Sequence, residues 1–153
     1  MASRQIKTSV DTKGTSLKIY WTDSLGGSPV MPLFLRSYAD VIEKGWANPY
    51  IAWSNKNRAV WIETEDAKVI AGICYEFSPD NHMGWLVLSF VDEAYRGRRL
   101  YSLMREIVDE DLRKQGADRV CSLIHVDNES MLKSAERTGM RPQFYRMYKQ
   151  LKA

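Results

Sequence analysis

The feature that most constrains this chain is a continuous stretch, residues 85–104, in which a strand pattern passes through a basic turn into a helix pattern. Residues 85–91 are apolar, β-branched and aromatic, which predicts a buried strand. Apolar residues then recur at helical spacing at Leu100, Leu103, Met104, Ile107, Val108 and Leu112. The turn between the two carries three arginines, Arg96, Arg98 and Arg99. Because the first N–H groups of a helix carry the positive end of its dipole, this arrangement predicts a phosphate site at the turn.

The basic turn resembles the acyl-CoA-binding segment of the GNAT superfamily of N-acetyltransferases over Val91-Asp92-Glu93-Ala94-Tyr95-Arg96-Gly97-Arg98. In that family a strand and a Val-x-Pro-x-Tyr-like turn precede Arg/Gln-x-x-Gly-x-Gly/Ala, whose loop amides hold the CoA pyrophosphate. The resemblance implies acetyl-CoA, or another acyl-CoA, as co-substrate. It implies cofactor contacts at Phe90, Val91, Arg96, Gly97, Arg98, Arg99, Leu100, Tyr101 and Ser102. Arg99 and Tyr101 stand where the family usually has small residues.

Residues 125–140 are similar to a second signature of the same family. There an Asn opens a helix, a Tyr follows seven positions later, and Gly-Phe closes the helix. Asn128 and Gly139-Met140 match, so the resemblance implies a cofactor contact at Asn128, although a plain helix N-cap explains this residue equally well. The seventh position is Ala135, which cannot donate the proton that the family's Tyr often gives to the departing thiolate. That role is empty or is filled from elsewhere.

Acetyl transfer to an amine needs a neutral amine, a polarised thioester carbonyl and a route for protons. In the family, backbone N–H groups of the central strand contact the carbonyl, and here they would lie near Phe90 and Val91. Residues 85–91 contain no carboxylate, so the candidate bases flank that strand in the predicted sheet. They are Glu63, Glu76, Asp92 and His125.

Among these candidates His125 is favoured, because it follows the strand beside the central one and imidazole titrates near neutral pH. A lone histidine is nonetheless more often structural, and positioning alone can supply much of the rate. Tyr145 and Tyr148 can replace the missing Tyr as proton donors, although such aromatic residues more often serve packing. The aromatic set Trp21, Trp46, Trp53, Trp61, Tyr75 and Trp85 is best explained by packing, and alternatively lines an acceptor pocket for a hydrophobic or cationic amine.

The order of elements predicts an α/β (α+β) fold with one domain over residues 1–153. Strands are predicted at residues 4–10, 17–22, 59–63, 69–77, 85–91, 120–124 and 144–151. Helices are predicted from Ser28-Pro29 to Gly45, over residues 100–115, and from Asp127 or Asn128 to Gly139. This order gives a mixed, mostly antiparallel sheet with helices on both faces, and parallel strands around the central helix. The resemblance makes it GNAT-like.

Composition excludes several other classes of protein. The two cysteines, Cys74 and Cys121, lie in strand-like runs and predict buried thiols, and two histidines without a Cys/His cluster predict no metal site. No apolar run approaches the roughly 20 residues that cross a bilayer. No apolar signal core follows residues 1–5, so we expect a cytoplasmic protein without a membrane partner.

Three functions compete at this point. The first is an acyl-CoA-dependent N-acyltransferase with a small-molecule or peptide amine as acceptor. The sequence does not decide whether such an enzyme is a monomer or a homodimer. The second is a catalytically degenerate GNAT-like module that binds CoA weakly or acts as an interaction protein, which Arg99, Tyr101 and Ala135 favour. The third is a nucleic-acid binder, which the mild net charge of +3 and the acids in residues 106–111 disfavour.

Overall fold

The computed structural model describes residues 4–48, 54 and 57–152, and these residues build a six-stranded sheet in the order β1-β2-β3-β4-β5-β6. The strands are β1 (Arg4–Val10), β2 (Ser16–Thr22), β3 (Arg58–Thr64), β4 (Val69–Ser78), β5 (Met83–Val91) and β6 (Arg119–Ser122). The helices are α1 (Met31–Glu43), α2 (Leu100–Gln115) and α3 (Glu129–Arg137). Neighbouring strands pair antiparallel except β5 and β6, which are parallel around α2 as the sequence predicts.

Helices cover both faces of the sheet, which confirms the predicted architecture. On one face Leu33 and Phe34 of α1 pack with Trp61 and Cys74. On the other face α2 packs against the sheet through four buried residues at the predicted spacing, Leu100, Met104, Val108 and Leu112. Among the described residues, no helix has the length and apolar character needed to cross a membrane.

Two glycines inside the strands let the helices approach the sheet closely. A Cβ atom on Gly72 would lie 2.8 Å from Val30 Cγ2, beside α1. A Cβ atom on Gly84 would lie 2.5 Å from Leu112 Cδ1, on the α2 face. Non-bonded carbon atoms prefer about 3.5–4.0 Å, so a side chain at either position would have to displace the helix side chains that it meets.

The start of α1 differs from the prediction. Ser28 does not cap this helix, because its hydroxyl donates a hydrogen bond to Leu25 O at 2.7 Å in the preceding turn. Val30 is the N-cap instead, and Pro32 lies in the first helical turn. A proline fits there as well as it would have fitted at residue 29, since the first N–H groups of a helix have no intrahelical partner.

The predicted strand at residues 120–124 ends early, and the predicted last strand at residues 144–151 is wrong. The parallel ladder stops at the pair Leu86–Ser122, just before an irregularity in β5 bends that strand. Residues 140–152 form neither helix nor strand. Alternating apolar residues show that a segment suits a strand, but a strand also needs a neighbour for its hydrogen bonds.

We expect Gly84→Ala to destabilise the protein by ~1–3 kcal/mol, because the added methyl group overpacks the contact with Leu112. Thermal and urea unfolding of the purified variant measure the loss. The matched control is a double-mutant cycle with Leu112→Ala, which opens space beneath α2. If Gly84→Ala is equally destabilising in both backgrounds, the contact with Leu112 is not its cause.

Candidate functional site

The parallel pair β5 and β6 separates part-way along β5 and leaves an open edge. Their pairing covers Met83–Leu86 and Arg119–Ser122, and within the described residues the remainder of β5 pairs only with β4. Cys74 pairs with Leu88 and Tyr75 with Leu86, so Val87 is an extra residue that bulges out of the ladder. Residues 87–91 are only half-buried. A bulge beside an open strand edge exposes backbone groups to a ligand.

The turn after β5 is built by local hydrogen bonds. Asp92 caps a single 3-10 turn (Glu93–Tyr95) by accepting a hydrogen bond from the N–H of Ala94 at 3.1 Å. The chain then reaches Gly97 with φ +76° and Arg99 with φ +61°, both in the left-handed region. Left-handed residues on either side of Arg98 turn successive N–H groups toward one side, a geometry that binds anions.

Six consecutive backbone N–H groups at the start of α2 are left without partners. Within the described residues, no hydrogen bond has the N–H of any of residues 97–102 as its donor. The ladder of α2 begins with the N–H of Leu103, which donates to Arg99 O at 3.1 Å. No acidic residue lies in the first turn of α2 to complement its dipole. The turn therefore offers donors and positive potential to a bound anion.

The side chain of Arg98 holds this turn to the β1–β2 hairpin. Its Nη1 donates to Asp11 Oδ2 at 2.9 Å and to Thr15 Oγ1 at 3.3 Å, and its Nη2 donates to Ala94 O at 3.1 Å. The guanidinium also lies 4.6 Å from the ring centroid of Tyr95. The guanidinium of Arg98 is therefore bonded within the protein. The backbone N–H of Arg98 is the group that remains available to a ligand.

Asp11 is a functional residue that sequence reasoning missed. Its burial opposes ionisation, but hydrogen bonds from Arg98 and from the N–H groups of Thr15 and Lys13 outweigh that effect and lower its pKa from 3.8 to about 2. The hydrogen bonds of Asp11 to its own turn are a common local pattern. Its partner Arg98 is 87 residues away in sequence, so no local pattern could identify that pair.

The other two arginines of the turn are exposed. Arg96 folds back onto the end of β5, where its Nε donates to Val91 O at 3.0 Å and its guanidinium lies 5.7 Å from the ring centroid of Phe90. Arg99 is the N-cap of α2, and its side chain makes no capping hydrogen bond. Both side chains lie beside the unpartnered N–H groups and can add charge to an anion site.

Leu100 and Tyr101 point into the protein, while Ser102 is half-buried. The Tyr101 hydroxyl accepts a hydrogen bond from Arg105 Nη1 at 3.2 Å, and Ser89 of β5 lies within hydrogen-bonding reach of it. Burial raises the pKa of Tyr101, so this hydroxyl keeps its proton at neutral pH. At Tyr101, therefore, the backbone N–H is available to a ligand in the turn, and the side chain is not.

The favoured base, His125, lies in a loop three residues beyond the end of β6. Its Nδ1 accepts a hydrogen bond from the N–H of Asp127 at 3.1 Å, which leaves the proton of the neutral ring on Nε2. Its ring stacks on Trp46 at 5.9 Å between centroids, which joins the segment after α1 to the segment after β6.

Of the remaining candidate bases, Asp92 directly follows the open half of β5, whereas Glu63 does not lie on this strand. Glu63 is buried on β3, two strands from β5, and accepts a hydrogen bond from Trp61 Nε1 at 3.1 Å. Tyr145 is exposed in the segment after α3. Asn128 caps α3 by accepting a hydrogen bond from the N–H of Met131 at 3.3 Å, which supports the capping alternative. Ala135 is itself buried, so its position is packed and not an open gap.

The aromatic residues that were considered for an acceptor pocket are divided between the two faces of the sheet. Trp21 donates from Nε1 to the Tyr75 hydroxyl at 2.9 Å on the α2 face, whereas Trp61 is buried on the α1 face. Trp53 lies outside the described residues. Of the set, Trp46 with its stacked histidine is the member that lies near the loops beyond β6.

Comparisons with known proteins agree with this geometry. A model of the acetyltransferase (GNAT) family matches residues 28–140. No curated protein sequence matches the chain.

Solved structures show the same fold at low sequence identity. An aminoglycoside acetyltransferase from an uncultured soil metagenomic sample, in complex with sisomicin, has a TM-score of 0.66 and 16% identity over 89% of this chain and 97% of that chain. A ribosomal-protein-alanine N-acetyltransferase from Brucella melitensis biovar Abortus has a TM-score of 0.64 and 12% identity over 89% and 99%. An aminoglycoside N-acetyltransferase in complex with CoA has a TM-score of 0.60 and 13% identity over 88% and 99%.

We expect Asp11→Asn to lower the melting temperature at neutral pH and to lose this effect in strong acid. The pKa of Asp11 is lower in the folded protein than its usual 3.8, so its charge stabilises the fold above that pH. The stabilisation disappears as the pH falls through about 2. Thermal unfolding of both proteins from pH 7 to pH 2 measures the difference.

The control for this experiment is Asp80→Asn, which removes one exposed carboxylate from the β4–β5 connection. It reports the effect of net charge alone. A difference between wild type and Asp11→Asn that stays constant down to pH 2 would show that the ion pair does not contribute.

Proposed function

The chain belongs to the acetyltransferase (GNAT) family, and from this premise we propose that it transfers an acetyl (acyl) group from acyl-CoA to a primary amine. The observation that carries the proposal is the row of six unpartnered N–H groups at residues 97–102, next to the open edge of β5. A pyrophosphate needs several donors in one concave turn, and a thioester needs donors along an exposed strand. The chain has both kinds of donor, because the turn with the unpartnered N–H groups closely follows the strand with the open edge.

For the donor substrate, the residues of the turn suit a CoA pyrophosphate. The N–H groups of residues 97–102 would hold its oxygens, while Arg96 and Arg99 would add charge from exposed positions. Asn128 caps α3, so its side-chain oxygen serves to fix the start of that helix. The bound CoA of a solved structure with the same fold supports this assignment.

For the transfer step, we assign the rate chiefly to positioning. The bulge at Val87 and the open edge beyond it expose backbone N–H groups that can polarise a thioester carbonyl, as an oxyanion hole does. A neutral amine held against that carbonyl would attack its carbon, and the carbon–sulfur bond of the tetrahedral intermediate would then break. The proton that the new ammonium loses would pass to the departing CoA thiolate or to water, so that the products are the amide and the CoA thiol. The stacked rings of His125 and Trp46 would then form one wall of the acceptor site.

For the acceptor, we propose an amine that is cationic before it loses its proton. The stacked rings of Trp46 and His125 offer a flat aromatic surface beyond β6, and Lys44 Nζ already lies 5.1 Å from the Trp46 ring centroid. Such surfaces attract cations. Solved structures with this fold include enzymes named for aminoglycosides and for the alanine of a ribosomal protein, which are different kinds of amine.

A second candidate is a module that binds CoA without turnover. It is favoured by Ala135, because an alanine at the position that resembles that of the family's proton-donating Tyr cannot donate a proton. Release of CoA thiol from acetyl-CoA, followed for aminoglycosides, polyamines and peptides with an N-terminal Ala, separates the two. Acetylated product from at least one amine supports the enzyme, and CoA binding without any product supports the module.

We expect Ser102→Glu to weaken CoA binding by about tenfold or more, which is ~1.4 kcal/mol. The carboxylate would lie in the first turn of α2 and repel the phosphates. The same charge complements the helix dipole, so the fold should gain roughly 0.3–1 kcal/mol. Calorimetry with CoA and thermal unfolding measure these opposite changes.

The matched control is Ser102→Gln, which has the same shape as the Glu variant and no charge. Gln should bind CoA nearly as the wild type does. If the Glu and Gln variants bind CoA with equal affinity, the pyrophosphate does not occupy this turn.

We expect Arg99→Gly to stabilise the fold by ~1 kcal/mol and yet to weaken CoA binding by ~1.5–3 kcal/mol. Glycine adopts the left-handed φ of residue 99 without the steric strain of a Cβ atom. Loss of the guanidinium removes charged hydrogen bonds to the phosphates, and this loss should shrink at high salt. Calorimetry at two salt concentrations and thermal unfolding measure both changes.

Arg99→Asn is the control for this pair of effects. Asparagine tolerates the left-handed region but lacks the charge, so it should bind like the Gly variant. Equal or tighter CoA binding by Arg99→Gly at low salt would rule out a phosphate contact by Arg99.

A further inference from the structure

The open half of β5, residues 87–91, has a single polar side chain, that of Ser89. Ser89 is half-buried and pairs with Ile73 of β4, which belongs to the core on the α2 face. Residues that pair across an antiparallel ladder lie on the same face of the sheet, so the Ser89 hydroxyl also lies on the α2 face. It therefore adds a side-chain donor to the strand that would hold the thioester.

The buried hydroxyl of Tyr101 lies behind Ser89 and determines what the Ser89 hydroxyl can do. The two hydroxyls are in hydrogen-bond contact, and the Tyr101 oxygen also accepts a hydrogen bond from Arg105 Nη1 at 3.2 Å. A guanidinium has donors and no acceptor, so the Tyr101 proton cannot be directed at Arg105. Ser89 Oγ can accept that proton, which directs the Ser89 O–H elsewhere. In the part of the chain that the structure describes, Tyr101 is the one side chain in contact with this O–H.

The guanidinium of Arg105 is a fixed cation at the inner end of this arrangement. Arg105 is 1% exposed, and its Nη1 also donates to Thr138 Oγ1 at 3.0 Å, near the end of α3. Its Nη2 donates to Asp109 Oδ1 at 3.0 Å, so the charge is compensated and the side chain cannot rotate freely. A cation at one end of a series of hydrogen bonds polarises each O–H along it. Arg105 and Tyr101 therefore make Ser89 a stronger donor than a serine without such partners.

We propose that Ser89 donates a hydrogen bond to the sulfur atom of acyl-CoA as the carbon–sulfur bond breaks, with Tyr101 and Arg105 as positioning residues. This inference rests on the proposed function. It gives the departing sulfur a donor although Ala135 cannot be one. The electron pair of the breaking bond passes to sulfur, and the Ser89 O–H stabilises the thiolate without losing its proton. The proton of the CoA thiol comes from the new ammonium, directly or through water, so none of the three residues changes its charge.

The pKa of the thiol in the complex with CoA tests this assignment, because a donor to sulfur stabilises the thiolate and lowers that pKa. A thiolate absorbs ultraviolet light that a thiol does not. Each CoA complex can therefore be titrated by absorbance, with the S-methyl-CoA complex of the same protein, which has no thiol, as the blank. We expect Ser89→Ala to raise the thiol pKa by about 1 or more, the scale of one hydrogen bond to a charged group. Ser89→Thr keeps the hydroxyl and should preserve the wild-type value.

Two further variants separate a specific effect from a structural one. Tyr101→Phe keeps the buried ring, so it should raise the thiol pKa in the wild-type background and leave it unchanged in the Ser89→Ala background. Ser122→Ala removes a hydroxyl from the neighbouring strand β6 and should not change the thiol pKa. An equal rise in Ser122→Ala and Ser89→Ala, or an equal effect of Tyr101→Phe in both backgrounds, overturns the proposal.

Kinetics with an amine that reacts give a second readout. Ser89→Ala should lower kcat by about tenfold or more and leave KM for acetyl-CoA nearly unchanged, because the hydrogen bond to sulfur strengthens in the transition state. The titration needs CoA to bind but no amine to react. A thiol pKa that Ser89→Ala leaves unchanged overturns this inference alone, whereas the absence of any CoA complex overturns the proposed function as well. The expected rise in pKa without product from any amine supports the contact and contradicts only the proposed activity.

Discussion

The ion pair between Arg98 and Asp11 is the interaction on which the candidate site depends, because it fixes the turn whose N–H groups remain unpartnered. Helix α2 lies across β3, β4 and β5, so its first turn comes close to the β1–β2 hairpin. Arg98 spans this approach, and its guanidinium is mostly buried with one nitrogen, Nε, unpaired among the described residues. An anion site needs donors that are held in place before the ligand arrives, since ordering them afterwards would weaken binding. The hairpin thus belongs to the candidate site through Asp11 and Thr15, which hold the side chain of Arg98.

The other end of α2 is held as firmly, by a network around Asp111. This carboxylate accepts hydrogen bonds from the Tyr75 hydroxyl at 2.7 Å, from Arg58 Nη1 at 3.2 Å and from Gln115 Nε2 at 3.0 Å. Burial raises the pKa of Tyr75, so its hydroxyl stays a donor to Asp111. Contacts with the sheet and with the β1–β2 hairpin thus anchor α2 near both of its ends, which fixes the position of the turn relative to the sheet.

The sequence predicts the elements well and the contacts between distant residues poorly. The apolar spacing of α2 and the pattern of β3 and β4 are local signals, and the structure confirms them. The bulge at Val87, the partner of Arg98 and the stacking of His125 on Trp46 depend on register and on segments far apart in the chain. Local patterns carry no information about such contacts. The strand predicted at residues 144–151 is wrong for the same reason. Its alternating apolar residues indicate that the segment suits a strand, but they do not identify a neighbouring strand to which it could bond.

The turn carries two large residues, Arg99 and Tyr101, and yet its backbone N–H groups have no hydrogen-bond partner among the described residues. Arg99 has a left-handed backbone and an exposed side chain that makes no capping hydrogen bond. Tyr101 is buried, and Arg105 holds its hydroxyl while also donating to Thr138 Oγ1 at 3.0 Å near the end of α3. Arg105 is itself fully buried and paired with Asp109 at 3.0 Å, so its charge is compensated. The space beside the turn is therefore filled from within by an aromatic ring and a paired arginine, and small residues are not required for the backbone to remain accessible.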